Sequence, residues 1–290
     1  MAIDDLKNFD FDNIDIVTKI AKYPQFTVMY GKGGVGKSSA ACYSPNPVIL
    51  AIGRETGHQR MDVPKLENKN NINPVTFVYG TIKYLIEKPH SRETLIIDNA
   101  GTFRESVDED VIAKNPTCGS GADKKEVESI SDYGYGKGAA MAYPYWVRLM
   151  AGIDMLMRKR NMHVILMAHP VLYNVNLEDG SYYSRTGIAV PAGENTSVRG
   201  LMEARAHNVF YMEEGIPTST VKGNFGGDKK VATSGESKRI IYTKPSGTFF
   251  AKSRVDMDKV YIINKSPTET ELLHDKTNES LINFWADVYK

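Results

Sequence analysis

The sequence predicts an α/β fold built on a mainly parallel β-sheet flanked by helices. Three observations support this prediction: short runs that are continuously apolar, an amphipathic helix between two of these runs, and a glycine-rich loop between a strand and a helix. Strands that helices cover on both faces have this continuously apolar character, because neither face meets water. Strands that alternate with helices are typical of α/β folds.

The first strand is predicted over residues 26–30, directly before a glycine-rich loop at 31–38, and the small residues after the loop favour a helix. A crossover helix is predicted over 145–160, because its apolar residues recur at spacings of three and four and cations close its C-terminal end. Three further buried strands are predicted at 47–52, 94–98 and 163–168.

Two segments do not fit this alternation. Residues 114–138 are rich in Gly, Lys and Asp, and residues 170–197 carry Pro, Gly, Asn and Tyr. Long loops in a compact domain are usually functional or mobile. Nearer the C-terminus, residues 239–243 and 260–263 predict antiparallel strands around a Pro-Ser-Gly turn at 245–247.

Composition excludes several classes of protein. With 290 residues, 41% hydrophobic and 24% charged, the chain is neither disordered nor a coiled coil. A formal net charge of +1 gives no overall field for a polyanion, so nucleic-acid binding would depend on local patches. Two cysteines, Cys42 and Cys118, build neither a disulfide framework nor a zinc site. An acidic N-terminus without an apolar core, and the lack of an apolar run near ~20 residues, predict a cytoplasmic protein with no membrane partner.

The loop from Gly31 to Ser38 matches G-x-x-x-x-G-K-[ST] between a strand and a helix, which is the context that a phosphate-binding loop requires. Backbone N–H groups would wrap the phosphates, Lys37 would neutralise the β and γ oxygens, and the Ser38 hydroxyl would bind Mg²⁺. The alternative is a glycine-rich turn with an incidental lysine. ATP and Mg²⁺ are the predicted ligands, and the predicted nucleotide contacts are Gly31, Lys32, Gly33, Gly34, Val35, Gly36, Lys37, Ser38 and Ser39.

Phosphoryl transfer also needs carboxylates. Asp98 closes a predicted buried strand and is the candidate for the metal, although it could instead cap the following turn. Glu55, just past the strand at 47–52, is the candidate that orients the attacking water; alternatively, Arg54 and Glu55 form a solvated pair. His169 ends the strand at 163–168, where it would sense the γ-phosphate or simply be a hydrogen-bonded histidine at a strand end.

Several segments resemble the phage nucleotide-binding proteins of the RecA-like P-loop ATPase group, some of which anneal or pair single-stranded DNA. The resemblance is carried by Asp132-Tyr-Gly-Tyr-Gly-Lys-Gly138, by the helix containing Trp146 and by Met162-His-Val-Ile-Leu-Met-Ala-His169. It continues through the polar loop to Leu201–Phe210 and closes with 239–243 and 251–254. It implies a RecA-like core over 24–264, after an N-terminal segment at 1–23 and before a C-terminal tail at 265–290.

The resemblance further implies a ring or filament with ATP between neighbouring copies, and two DNA-facing segments, 129–141 and 170–197. Both segments contain aromatics and cations suited to single-stranded DNA. Lys252 and Arg254 match the position at which such proteins present cations to a neighbour's γ-phosphate, although a solvated basic strand end is the alternative. The DNA-binding residues implied are Tyr133, Tyr135, Lys137, Tyr173, Tyr182, Tyr183, Arg185 and Arg199.

Lys32 departs from this resemblance, because it reproduces the signature lysine of the phosphate loops of chromosome-partitioning ATPases. The Asp-rich switch and the metal-strand motif of those proteins are not matched at Ile52-Gly-Arg-Glu55 or Asp98-Asn-Ala-Gly101.

The sequence therefore predicts a DNA-stimulated, RecA-like phage ATPase in the host cytoplasm, with catalytic roles for Glu55, Lys37, Asp98, His169, Lys252 and Arg254. Its predicted partners are single-stranded DNA and further copies of the chain, with a phage single-strand-binding protein as a further candidate. The alternatives are a partitioning-type ATPase switch and a non-catalytic nucleotide-binding module.

Overall fold

The computed structural model describes residues 23–53, 59, 61–120, 123–193, 195–215, 218–222, 228–232, 238–263 and 278–290, with backbone only for 218–222 and 228–232. The strands are β1 (Phe26–Gly31), β2 (Pro47–Ala51), β3 (Lys65–Leu66), β4 (Thr94–Asp98), β5 (Thr117–Cys118), β6 (Lys125–Glu126), β7 (His163–Ala168), β8 (Pro170–Asn176), β9 (Tyr182–Ile188), β10 (Asn208–Gly215), β11 (Thr218–Lys222), β12 (Asp228–Ala232), β13 (Lys238–Tyr242), β14 (Lys252–Ser253) and β15 (Val260–Ile263). The helices are α1 (Lys37–Ala41), α2 (Pro74–Glu87), α3 (Ala100–Lys114), α4 (Lys137–Arg160), α5 (Val198–Arg205) and α6 (Glu279–Val288).

Within the described ranges, nine strands form one sheet in the order β15-β13-β10-β1-β7-β4-β2-β3, with β14 also paired to β10. The strands from β10 to β3 run parallel to one another. Every residue of β1 and β4 is buried, which explains why these strands are continuously apolar. The mainly parallel α/β fold is thus confirmed, and so is the antiparallel pairing of β13 with β15.

The two faces of the sheet are covered unequally. Helices α2, α3, α4 and α5 pack on one face in a core that includes Phe103 and Trp146. The other face is covered by α1, which is only five residues long, together with α6. Trp285 of α6 donates a hydrogen bond from Nε1 to the carbonyl oxygen of Ala40, at 2.7 Å. The C-terminal helix therefore completes the layer that the short α1 leaves open.

Two sequence predictions about irregular segments are corrected. Helix α4 begins at Lys137 rather than at 145 and contains Pro144 in its interior, so the proline and the glycines before it hid its first two turns. Residues 170–188 form a hairpin of β8 and β9, paired from Pro170 with Ile188 to Asn176 with Tyr182. One face of this hairpin is largely exposed and the other is mostly only half-buried, so its strands lack the apolar character by which buried strands are predicted.

No helix in the part of the chain that the structure describes is both long and apolar enough to cross a lipid bilayer.

Candidate functional site

The loop between β1 and α1 has a backbone that requires glycine at both ends. A Cβ atom at Gly31 would lie 2.1 Å from the carbonyl oxygen of Met212 on the paired strand β10, so no larger residue fits there. Gly36 has φ 95°, a left-handed conformation that other residues rarely adopt. The loop geometry therefore depends on these two glycines.

The side chain of Lys37 folds back over this loop. Its Nζ donates hydrogen bonds to the carbonyl oxygens of Gly31, at 2.8 Å, and Lys32, at 2.9 Å. Only 9% of the residue is exposed, and a shielded ammonium group needs such partners because an unpaired buried charge is costly. The charge is thus held against the loop, where a lysine that binds a phosphate is expected.

Ser38 and Asp98 meet although 60 positions separate them in the chain. The Ser38 Oγ lies 3.4 Å from Oδ2 of Asp98, which ends β4 and is 6% exposed. Strand β7 lies between β1 and β4, so the two side chains approach each other across the carboxyl edge of the sheet. A hydroxyl and a carboxylate oxygen are hard ligands that suit Mg²⁺. The structure therefore brings the two predicted metal ligands together.

The cap of α3 is supplied by Asn99 and not by Asp98. The Asn99 side chain accepts hydrogen bonds from the backbone N–H groups of Gly101, at 2.8 Å, and Thr102, at 3.1 Å. The alternative role of Asp98 as a cap is therefore taken by its neighbour. This division leaves the carboxylate directed towards Ser38.

His169 directly follows β7 and lies beside the start of α3. Its Cδ2 atom is 3.9 Å from the position that a Cβ atom on Gly101 would occupy, and the residue is exposed. Its backbone carbonyl accepts a hydrogen bond from the N–H of Ala189, at 2.9 Å. His169 thus lies beside the start of α3, the helix that follows β4, and is linked through its backbone to the end of the β8–β9 hairpin.

The remaining predicted nucleotide residues differ in exposure. Lys32, Gly33 and Gly34 are exposed and Ser39 is half-buried. Val35 packs in the apolar cluster that also holds Trp285, so it would contribute only its backbone. Glu55 lies outside the described residues, and its role as the water-orienting carboxylate stays a prediction.

Sequence reasoning missed Arg239 of β13. Its guanidinium lies against Gly36, with Nη1 2.6 Å and Cζ 3.0 Å from the position of a Cβ atom on that glycine. Strand β13 is separated from β1 by β10, so the long side chain crosses a whole strand to reach the loop. A lone arginine in a predicted strand gives no indication of this contact, which appears only in the fold.

Lys252 and Arg254 lie at the opposite, amino edge of the sheet. The Lys252 Nζ donates to the carbonyl oxygens of Glu203 and Ala206, both at 2.8 Å, and burial lowers its pKa. Arg254 is exposed and donates one hydrogen bond to the carbonyl oxygen of Ala204, at 3.2 Å. Lys252 thus caps the end of α5 in its own chain, and the roles of Lys252 and Arg254 at a neighbour's phosphate stay predictions.

The segment 129–141 is mostly folded. A short 3-10 helix (Ile130–Tyr133) places Tyr133 in the core, 7% exposed, with its hydroxyl donating to the carbonyl oxygen of Asn115 at 2.7 Å. The prediction that Tyr133 stacks on a base is therefore wrong. Tyr135 projects fully into solvent, and Lys137 in the first turn of α4 is also exposed.

Most of the residues that were predicted to bind DNA in and just after the hairpin contact other residues of the same chain instead. The Arg199 guanidinium stacks 4.2 Å from the Tyr173 ring centroid and donates to the carbonyl oxygen of Ile188 at 3.1 Å. The Arg185 guanidinium lies 5.2 Å from the Phe250 ring centroid. These contacts give Tyr173, Arg185 and Arg199 structural roles. Tyr183 is half-buried, whereas Tyr182 is 64% exposed.

Glu203 explains why these cations lie together. Burial raises the pKa of its carboxyl, and the charges of Arg199, Arg185 and Lys252 act in the opposite direction. A half-buried carboxylate requires nearby cations, because its charge has lost part of its hydration. Cations that the sequence offered for DNA or for a neighbour's phosphate therefore stabilise a carboxylate of their own chain.

Taken together, the carboxyl edge holds a glycine loop, a shielded lysine, a hydroxyl–carboxylate pair, a histidine and an arginine within reach of one another. Backbone N–H groups and cations suit a chain of phosphates, and the oxygen pair suits Mg²⁺. The residues present therefore fit a nucleoside triphosphate and its metal.

A comparison with protein families agrees with this geometry. A family model described as AAA domain matches residues 24–255. Among solved structures, the chain is similar to one described as the crystal structure of the RadB recombinase, with a TM-score of 0.45 and 9% sequence identity over 85% of this chain and 89% of that chain. No curated protein matches the sequence.

Proposed function

We propose a function for this chain, which belongs to the AAA domain family of P-loop ATPases. In this proposal it is a phage ATPase that binds single-stranded DNA and supports recombination, annealing or replication. The observation that carries the proposal is the meeting of Ser38 and Asp98 at 3.4 Å beside the loop that holds Lys37. A phosphate-binding loop and a metal carboxylate are the two parts that hydrolysis of ATP requires first.

In this proposal, the loop N–H groups and Lys37 bind the phosphates, and Ser38 and Asp98 hold Mg²⁺. When bound, Mg²⁺ neutralises charge on the β and γ oxygens. Lys37 would exchange its carbonyl partners on the loop for phosphate oxygens, so its charge would stay paired throughout. His169, exposed beside the start of α3, would donate a hydrogen bond to a γ-phosphate oxygen.

DNA binding is supported by three exposed side chains from the two implied DNA-facing segments: Tyr135, Lys137 and Tyr182. Exposed aromatics next to a cation suit single-stranded DNA, because every base offers a face for stacking. The link from His169 to the hairpin end at Ala189 would couple the nucleotide to the hairpin. Reciprocal coupling of this kind means that DNA and ATP would strengthen each other's binding.

Assembly through the nucleotide is the part of the proposal that involves Arg254. It lies at the amino edge of the sheet, whereas its own phosphate loop lies at the carboxyl edge, so it would act only on a neighbour. Mixing Arg254→Ala copies with Lys37→Ala copies would create interfaces at which one copy supplies an intact Lys37 and its neighbour supplies an intact Arg254. Recovery of turnover in the mixture is expected, and no recovery would contradict the role.

A partitioning-type ATPase switch is the second candidate, favoured by the exposed side chain of Lys32 within Gly31–Ser38. In such a protein the extra lysine reaches the partner's nucleotide. That function predicts loss of hydrolysis in Lys32→Ala.

The test is the steady-state ATPase rate with and without single-stranded DNA, with Lys37→Ala as the blank. We expect Mg²⁺-dependent turnover that single strands stimulate and that the blank lacks. Turnover indifferent to single strands would contradict the DNA part and favour the switch. ATP binding without turnover would instead indicate a non-catalytic nucleotide module.

A further inference from the structure

The phosphate loop has a different charged group on each of its two flanks. On one flank Asp98 of β4 meets Ser38, and on the other Arg239 of β13 meets Gly36. Each of these strands is two places from β1 in the sheet order β13-β10-β1-β7-β4. Neighbouring strands lie ≈ 4.7–4.9 Å apart, so the two strands that carry these residues lie roughly the same distance from β1, on opposite sides of it.

Arg239 lies on the face of the sheet that carries α1. Residues opposite each other on antiparallel strands point to the same face, and Arg239 is paired with Glu214 as Ile241 is with Met212. Ile241 and Met212 are buried in the apolar cluster that contains Ala40 and Ala41 of α1. Arg239 therefore lies on the same face as Ile241, one step nearer to the carboxyl edge and to the loop.

The two flanks of the loop would contact opposite ends of a bound nucleotide. Ser38 and Asp98 would hold Mg²⁺, which would neutralise charge on the β and γ oxygens, so the γ-phosphate would lie on the flank of Asp98 and His169. The loop N–H groups cradle the α and β phosphates. The α-phosphate and the ribose therefore extend towards the other flank, where the Arg239 guanidinium lies.

We propose that Arg239 is a nucleotide-binding residue of the same chain that contacts the α-phosphate and ribose end, a part that ATP and ADP share. This inference rests on the proposed binding of a nucleoside triphosphate. Guanidinium groups suit this task, since they present several N–H donors in a fixed plane and form strong charge-assisted bonds to phosphate. Arg239 would then set affinity for both nucleotides and leave discrimination of the γ-phosphate to the opposite flank.

The test compares the affinities of Arg239 variants for MgADP and MgATP by calorimetry. Arg239→Ala and Arg239→Met should each weaken both nucleotides by about tenfold or more, and Arg239→Lys should weaken them less because it keeps the charge. Met keeps most of the apolar stem, so it separates a charge contact from simple packing against Gly36. The matched control is Lys238→Ala, which removes a charge from the adjacent, exposed position of the same strand and should retain wild-type affinity.

Three results would overturn the inference. Wild-type affinity in Arg239→Met would mean that only packing matters, and a loss confined to MgATP would place the guanidinium on the γ-phosphate. A lower unfolding temperature of the nucleotide-free Arg239→Met protein would assign the residue a structural role. Failure of the proposed function is distinguishable from these, because the wild-type protein itself would then bind MgATP no better than Lys37→Ala.

Discussion

The carboxyl edge of the sheet and the two segments implied to face DNA show how differently a motif and a composition constrain side chains. At the edge, Asp98 at the end of β4 meets Ser38 of α1, next to the loop that holds Lys37, although 60 positions separate Ser38 from Asp98 in the chain. In the segments, Tyr133 is buried and Tyr173 is covered by Arg199. A motif fixes the backbone and thereby the place of each side chain, whereas a composition does not say which side chains are free to meet a ligand.

The largest effect is expected where the motif is strictest. Lys37→Ala should lower MgATP affinity by about 100-fold or more, because hydrogen bonds to a charged group contribute ~1.5–3 kcal/mol each. Calorimetric titration measures this loss, with the unfolding temperature as a check on folding. Affinity within about threefold of wild type would contradict the loop's role in binding phosphate.

Tyr133 sharpens the contrast between motif and composition, because the composition of its segment predicted that it binds DNA. Tyr133→Ala should lower the free energy of unfolding by ~3–4 kcal/mol, because it removes a buried ring and the hydrogen bond to Asn115. Chemical denaturation gives this value. A variant with wild-type stability and weakened DNA binding would reverse our assignment.

A histidine of the sheet, His163, predicts that the stability of the protein depends on pH, independently of the carboxyl edge and of the two segments. Burial lowers the pKa of His163 to about 4, and its neutral Nδ1 accepts a hydrogen bond from the N–H of Gln25 at 2.9 Å. As pH falls from about 6.5 to 4, the unfolded chain takes up a proton that the native His163 does not, so stability falls by roughly 2–3 kcal/mol.

Denaturation of wild type and His163→Gln across this pH range measures the effect. The variant should lose less stability than wild type as the pH falls. Parallel curves would show that His163 does not contribute.

A smaller effect is expected from the exposed aromatics of the two segments that are proposed to face DNA. Tyr135→Ala and Tyr182→Ala should each weaken single-stranded DNA binding by ~1–3 kcal/mol without loss of stability. Fluorescence anisotropy with a labelled oligonucleotide measures this, and Tyr84→Ala, which removes an aromatic 51% exposed on α2, is the control. Equal affinity in all three variants would leave the segments without a stacking role.

The smallest effect is expected at Lys32, whose exposed side chain adds charge to the loop. Lys32→Ala should change the ATPase rate by less than about threefold, as for other exposed charges. Abolished turnover with retained ATP binding would contradict this expectation and support the partitioning-type switch.

The sequence was sufficient for the parts of the molecule where one physical constraint dominates. The strands at 26–31, 47–51, 94–98 and 163–168 were predictable because burial on both faces favours runs of mainly apolar residues there. The meeting of Ser38 with Asp98 followed from the loop motif and from the end of a buried strand.

Other parts depend on contacts between distant residues and so could not be predicted. The start of α4 at Lys137 was hidden by Pro144, which packing tolerates inside the helix. The contacts of Arg199 and Lys252 with their own chain could not be predicted, because the half-buried Glu203 whose charge they offset is identified only by the fold. Arg239 reaches the loop across β10, and no local sequence feature records such a path.

The tie between the last helix and the short α1 has a practical consequence. The chain contains two tryptophans: Trp146 is buried against Phe103 on the far face of the sheet, and Trp285 bonds directly to Ala40 of the helix that follows the loop. In a Trp146→Phe protein, the tryptophan fluorescence would come from Trp285 alone. The emission of that one indole would then report, without any label, on the helix that adjoins the phosphate loop as nucleotide is titrated in.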